Sequence, residues 1–338
     1  MNESKKSFTR FVNISLKVLM IILIIKTLTL AKYLIDNNNK NISTLITTLC
    51  LIIFTTVVII IVKFYFFKKE QYSRSAIFLV VIGFLLRLAW ILLVRTKPVS
   101  DFDTMMQFGG LIANGDYSMF KGIQFIARFP HLTTFCLFLG FIYRFFSDPL
   151  LTMKLINVLL STFNIYLIYI ISKELYTNVK KAVYTALIAT LFPVLIIYTS
   201  VICSENIAMT FYLLSLYYFI KIMKNKKSPK WLLLSGFILL IGSLFRAVAP
   251  VILVAYILYT VLYYRSNVKK QSLKSVGYIV ASFLIPFVLF NYALKAANII
   301  EFDLWKGSEP SITSVLKGTN IENKGMWNPE DAAIFEKY

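Results

Sequence analysis

The sequence predicts an all-α protein that crosses a membrane many times, and three observations carry that prediction. Fifty-eight per cent of its residues are hydrophobic and the mean hydropathy is +0.72, well above a water-soluble domain. Windows of 18 or more mostly apolar residues recur along the chain, each long enough to cross a hydrocarbon core of about 30 Å. The short two-residue alternation of a membrane β-barrel is absent.

Taken in order, candidate spans cover about 11–35, 44–67, 75–95, 151–172, 182–200, 206–222, 231–247, 249–264 and 275–294. The first has no small-residue cleavage site and more spans follow it, so it reads as a helix and not as a removed signal peptide. A further apolar stretch, HLTTFCLFLGFIYRFF from 131 to 146, reaches only about 24 Å as a helix.

The basic residues decide how that stretch is read. Five clusters, at Lys5–Arg10, Lys63–Arg74, Lys173–Lys181, Lys221–Lys230 and Arg265–Lys274, hold just over half of the 36 Lys and Arg. They share one side only if 131–146 does not cross, so it is expected to be re-entrant or interfacial. By the positive-inside rule that side is cytoplasmic. Nine crossings then leave the N-terminus inside and the C-terminus outside. Only Glu3, Glu70 and Glu174 of the 16 acids fall on the basic side. The net charge of +20 is thereby accounted for by topology, and no nucleic-acid partner is expected. Cys50, Cys136 and Cys203 have no paired spacing, so neither a disulfide framework nor a zinc site is expected. Three segments follow: 1–74 with two extra spans, 75–294 as the main bundle, and 295–338 as a polar outer segment.

Several polar residues stand out against the apolar background. RTKPVSDFDTMMQFGGLIANGDYS (95–118) places Asp101 and Asp103 just past a span, at the start of an amphipathic segment suited to the membrane surface. An outward carboxylate can act as general base on a hydroxyl, and a second can orient the first or help hold a divalent cation. Two acids that merely favour a helix N-terminus are the plain alternative. Arg246, in FRAVAP at the apex of the 231–264 hairpin, can present its planar fork to a phosphate or can snorkel. Arg87, inside GFLLRLAWILL, costs about 2.5–3.5 kcal/mol to insert, so a partner or pathway role is expected. Lys26 raises the same question in the first span. Glu205, in YTSVICSENIAM, either lines an outer cavity or complements a helix start. The single histidine, His131, makes a poor metal site alone. The 29 Phe and 20 Tyr read as packing and interfacial anchors.

In their order these pieces resemble one family. A span with an internal Arg (Arg87), then P-x-S-D-x-D, NGDY (Asn114–Tyr117), FPHL (Phe129–Leu132), KLINVLLSTFNIYLIYIISKELY, LFPVLIIYTSVICSEN and GFILLIGSLFRAVAP are similar to the GT-C membrane glycosyltransferases. Within that class they look like the group around the protein O-mannosyltransferases and aminoarabinose transferases. The resemblance runs from about 80 to 295. It implies a GT-C-like bundle with a long first catalytic outer loop carrying interfacial helices. It also implies glycosyl transfer, with inversion, from a polyprenyl-phosphate sugar to an acceptor at the outer leaflet. Asp101 holds the family's first-loop carboxylate position and is the implied base, with Asp103 as its partner in acceptor or metal binding. Arg246, with Arg87 or Arg128, would hold the lipid phosphate, and Glu205 would line the same cavity. The Lys, Asn and Ile content points to a bacterial cytoplasmic membrane and to undecaprenyl phosphate as carrier. The acceptor would be a cell-envelope polymer, a lipid or a protein.

The departures are as specific. Residues 1–74 precede the resemblance, and His131 stands where the family often has a second proline. The sequence stops at Tyr338, in an outer segment where such enzymes usually continue with more spans. A non-catalytic lipid-sugar transporter or flippase, and an inactive truncated transferase remnant, are therefore the competing expectations.

Overall fold

The computed structural model describes residues 72–176, 178–224, 228–263 and 269–309, together with a few isolated residues outside these ranges. Backbone packing divides the chain into two units, Met1–Tyr65 and Phe66–Tyr338. In the first unit only Ile14, Ser15, Val18 and Ile22 are described, all helical. The expected spans at 11–35 and 44–67, and Lys26, otherwise lie outside the described residues.

The second unit is helical, with no strand among the described residues. Its helices are α1 (Tyr72–Leu93), α2 (Asp101–Ala113), α3 (Phe125–Arg128), α4 (Thr133–Phe145), α5 (Pro149–Tyr176) and α6 (Val179–Leu191). They continue as α7 (Pro193–Ile197), α8 (Glu205–Lys224), α9 (Leu232–Phe245), α10 (Ala249–Tyr263) and α11 (Lys269–Ala296). Stretches within α1, α5, α8 and α11 are long and apolar enough to cross a membrane singly. The chain is an all-α polytopic membrane protein.

One sharp turn precedes the 131–146 stretch, and one expected span is broken. The stretch at 131–146 is α4, 13 residues long, and the chain turns by 114° between 118–128 and 130–145. The 182–200 span is broken: α6 and the following 193–200 segment meet at 56°. The break falls at Phe192–Pro193, because proline lacks the N–H the helix needs and pushes its predecessor out of the α region. α9 and α10, expected to span at 231–247 and 249–264, are shorter apolar helices.

Close packing explains where the helices meet. The inward stripe of α1 is Ser75, Leu79, Gly83, Arg87 and Ile91, all buried and spaced four apart as one helical face requires. A Cβ on Gly83 would lie 2.3 Å from Ile165 Cδ1 of α5. α8 and α9 approach through Gly242, whose Cβ would sit 2.6 Å from Tyr212 Cε1. They are also tied by a buried hydroxyl network of Ser215, Ser235 and Tyr256. Small residues and interhelical hydroxyl bonds are the usual means of joining helices in lipid.

Long-range contacts show which loops share an end of the bundle. Thr96 donates to the Ser200 carbonyl at 2.9 Å, and the Asn157 amide donates to Val201 at 2.9 Å. Glu205 meets Arg246. After α11 the chain packs on the 118–130 loop, with the Gly122 amide donating to Glu301 at 2.8 Å and the Ser308 amide to Ala127 at 2.8 Å. All of these join loops at the end that carries Asp101. At the opposite end Lys224 reaches Glu174, tying the last turns of α8 and α5.

Candidate functional site

The site is built on α2. Ser100, with φ of 54°, is in the left-handed region, an uncommon place for a non-glycine residue. Its carbonyl accepts from the Asp103 and Thr104 amides at 3.0 and 3.1 Å and so starts the helix. Asp101 and Asp103 thus occupy the first turn, where the helix dipole favours negative charge. Both are exposed. The Asp103 carboxylate accepts from the Gln107 amide at 2.9 Å, and it lies within electrostatic range of Tyr143. Among the described residues, Asp101 has only the Ser100 hydroxyl, at 3.5 Å, which is barely a hydrogen bond.

NGDY ends α2 for a local reason. Gly115 is left-handed with φ of 84°. Its amide donates to Ile112 and that of Asp116 to Leu111, at 2.9 and 3.1 Å, which is the Schellman pattern. Asp116 then accepts from the Ser118 amide at 2.8 Å, and that bond holds its carboxyl below the usual range.

α2 is pressed onto α4 by a reciprocal pair of glycines. A Cβ on Gly109 would lie 2.9 Å from Leu139 Cβ, and one on Gly140 would lie 2.3 Å from Ile112 Cγ2. Beneath them one apolar core joins Met105, Phe135, Leu139, Ile202, Ile207 and Ile300. α2, α4, the start of α8 and the segment after α11 therefore share a floor, and Phe138 of α4 meets Phe245 of α9 edge-on at 5.9 Å.

Arg246 and Glu205 border that floor and are brought together, with the guanidinium 3.3 Å from Glu205 Oε1. Tyr212 donates its hydroxyl to the Arg246 carbonyl and fixes the backbone there. His131 lies close enough to Arg246 to interact electrostatically. Glu205 Oε2 is a buried atom without a hydrogen-bond partner. Nearby, burial pushes the Cys203 thiol up, so it is a poor nucleophile.

Arg128 is held elsewhere, at 2.8 Å from Glu309, whose side chain is buried. Sequence reasoning missed Glu309, Glu301 and Asp303, which tie the segment after α11 to the rest. Asp303 accepts from Lys295 and from Asn291, each at 2.8 Å, and those bonds keep its carboxyl below the usual range. Their only sequence signal is an excess of acids in a polar stretch.

Arg87 is not brought to this cluster. It is fully buried and donates to Ser161 Oγ at 2.8 Å, and to the Gly83, Thr190 and Ala189 carbonyls at 3.1, 3.3 and 3.2 Å. The Ala189 carbonyl is the one a non-proline residue 193 would have served through its N–H. Arg87 fills the hydrogen-bond gap that Pro193 opens.

Among the described residues, Asp101 and Asp103 form no ion pair with these arginines, and no three His, Cys, Asp or Glu side chains converge as a metal-holding group.

Acids and two arginines thus gather at one end of a helical bundle with spans apolar enough to cross a membrane. The model of the dolichyl-phosphate-mannose-protein mannosyltransferase family matches residues 133–290, a little under half of the chain. That match supports a membrane glycosyltransferase of the GT-C type. Comparison with curated proteins gave no match, and neither did comparison with solved structures.

Proposed function

We propose that this protein transfers a glycosyl group from a polyprenyl-phosphate sugar to an acceptor hydroxyl at the outer face of the cytoplasmic membrane. Asp101 is the base in this reading. The observation that carries it is the Asp101 carboxylate: exposed, at a helix start fixed by Ser100, and among the described residues bound by nothing stronger than one hydroxyl at 3.5 Å. The family match supplies the reaction class.

The steps follow from these groups. Asp101 takes the proton of the acceptor hydroxyl, whose oxygen attacks the anomeric carbon. The bond from that carbon to the phosphate oxygen breaks on the opposite face, inverting the centre and releasing the polyprenyl phosphate. Negative charge grows on the departing phosphate, and a donor fork beside it lowers the barrier. Arg246 fits that role, because Glu205 orients it and 43% of its side chain is open to solvent. Arg128 is a second cation at the same end, and Asp103 orients the acceptor. Arg87 takes no part, since its three nitrogens all donate within the bundle. The sugar is a hexose or pentose, and the acceptor a cell-envelope polymer, lipid or protein.

The transporter reading has one feature in its favour, the broken α6–α7 span, since discontinuous helices line transport sites. Arg87, Ser161 and Asn157 donate to the Ala189, Leu195 and Val201 carbonyls along that break and the segment after it, so those carbonyls are committed to the bundle.

The test is single-turnover transfer from a radiolabelled polyprenyl-phosphate sugar by purified protein. Asp101→Asn is expected to slow transfer by about 10²–10⁴-fold with donor binding kept. Transfer at the wild-type rate by that variant would sink the base assignment. Movement of the lipid-linked sugar across vesicles without transfer would favour the transporter.

A further inference from the structure

A second charged pocket lies where α1 ends and α5 begins. It encloses about 470 Å³ and is walled on one side by Leu92 and on the other by Leu151, with Arg95, Lys97 and Lys154 as cations and Asp148 as the one acid. The lining therefore carries a net positive charge.

Lys154 is the telling residue. It is 5% exposed, and its ammonium donates to the Thr96 carbonyl at 2.6 Å. No carboxylate lies within ion-pair distance of it among the described residues: Asp148 accepts from the Leu151 amide at 2.9 Å and touches Lys154 only through space. A buried ammonium satisfied by one neutral carbonyl is an incomplete arrangement, because buried charges are ordinarily paired. Arg95 and Lys97 flank the same space from an exposed loop, and the N-terminus of α5 adds its partial positive charge. An anion completes the site.

The walls say what kind of anion. Leu92 and Leu151 are exposed apolar side chains at the ends of two spans, so the pocket opens at the level where hydrocarbon gives way to headgroups. From these features we infer a binding site for a lipid-borne phosphate, its headgroup held by Arg95, Lys97 and Lys154 and its tail along the α1–α5 groove. It is distinct from the Arg246 cluster. It also bears on catalysis, because the loop it would hold runs through Thr96 to Ser100 and sets the position of Asp101.

The inference concerns binding and does not rest on the proposed transfer, so a protein without transferase activity would leave it standing. The test is native mass spectrometry of delipidated protein titrated with undecaprenyl phosphate, with phosphatidylglycerol, and with either lipid against inorganic phosphate. Arg246→Ala, which removes a cation of the other cluster, is expected to retain one tightly bound phosphate lipid. The double variant Arg95→Ala/Lys97→Ala alters only exposed side chains and is expected to bind that lipid roughly tenfold to thirtyfold more weakly.

The lipid arms then name the source. Retention of undecaprenyl phosphate alone identifies a carrier-lipid site, and equal retention of phosphatidylglycerol identifies a bilayer-lipid site. Displacement by inorganic phosphate shows that the headgroup carries the recognition. Unchanged binding of both lipids in the double variant would overturn the inference.

Discussion

At the residue scale the chemistry of this protein is a matter of which charges are already partnered. Arg87 is the clearest case: a charge deep in a span looks functional by cost alone, yet its donors meet Ser161 and three carbonyls. Removing it orphans the Ala189 carbonyl, whose helical N–H partner Pro193 cannot supply. Arg87→Met is therefore expected to destabilise the bundle by roughly 3 kcal/mol or more, read as a lower unfolding temperature in detergent. Arg87→Lys would rescue only part of it, because a point charge cannot span two carbonyls and a hydroxyl at once. Asp101 is the converse case, a carboxylate that the fold presents and does not engage. Its position past a span was legible in the sequence, and its freedom was not.

At the scale of elements, the amphipathic run at 101–113 and its stop at NGDY were readable, because helix period and Schellman glycine are local signals. The α2–α4 contact was not, since nothing in the sequence says that Gly109 and Gly140 face each other's helices. A side chain larger than hydrogen at either must push the partner away. Gly140→Leu is expected to keep the helical content, as far-ultraviolet circular dichroism would show, while displacing α2 and lowering transfer by an order of magnitude or more. Full activity in a folded Gly140→Leu protein would mean that the α2 position is irrelevant to the site. The break in the 182–200 span is a different lesson. Apolar length alone read 182–200 as one span; Pro193 breaks it, and only the Arg87 contacts show how the break is kept.

At the scale of the whole molecule, packing gathers loops that are far apart in the sequence at one end of the bundle. The loops containing Asp101, Glu205, Arg246 and Glu309 meet at one end, while Lys224 and Glu174 meet at the other. α4, turned by 114° from the segment before it, lies beside α2 at the acidic end. If that end faces outward, a cysteine at Asp148 in a cysteine-free background should react with a membrane-impermeant maleimide added to intact cells. Labelling only after permeabilisation would reverse the orientation and remove the proposed outer-face reaction.

Apolar length, charge asymmetry and the order of short motifs are properties of neighbours along the chain, and they were enough to give the helical membrane class, four of the spans and a resemblance that the family match supports. Pairings such as Arg87 with Ala189, Arg246 with Glu205, Arg128 with Glu309 and Lys154 with Thr96 join residues 41 to 181 positions apart. They depend on how each helix is rotated and where it breaks, which a local pattern does not encode. Only the packed bundle therefore decides which cations are committed to structure and which remain to meet a phosphate.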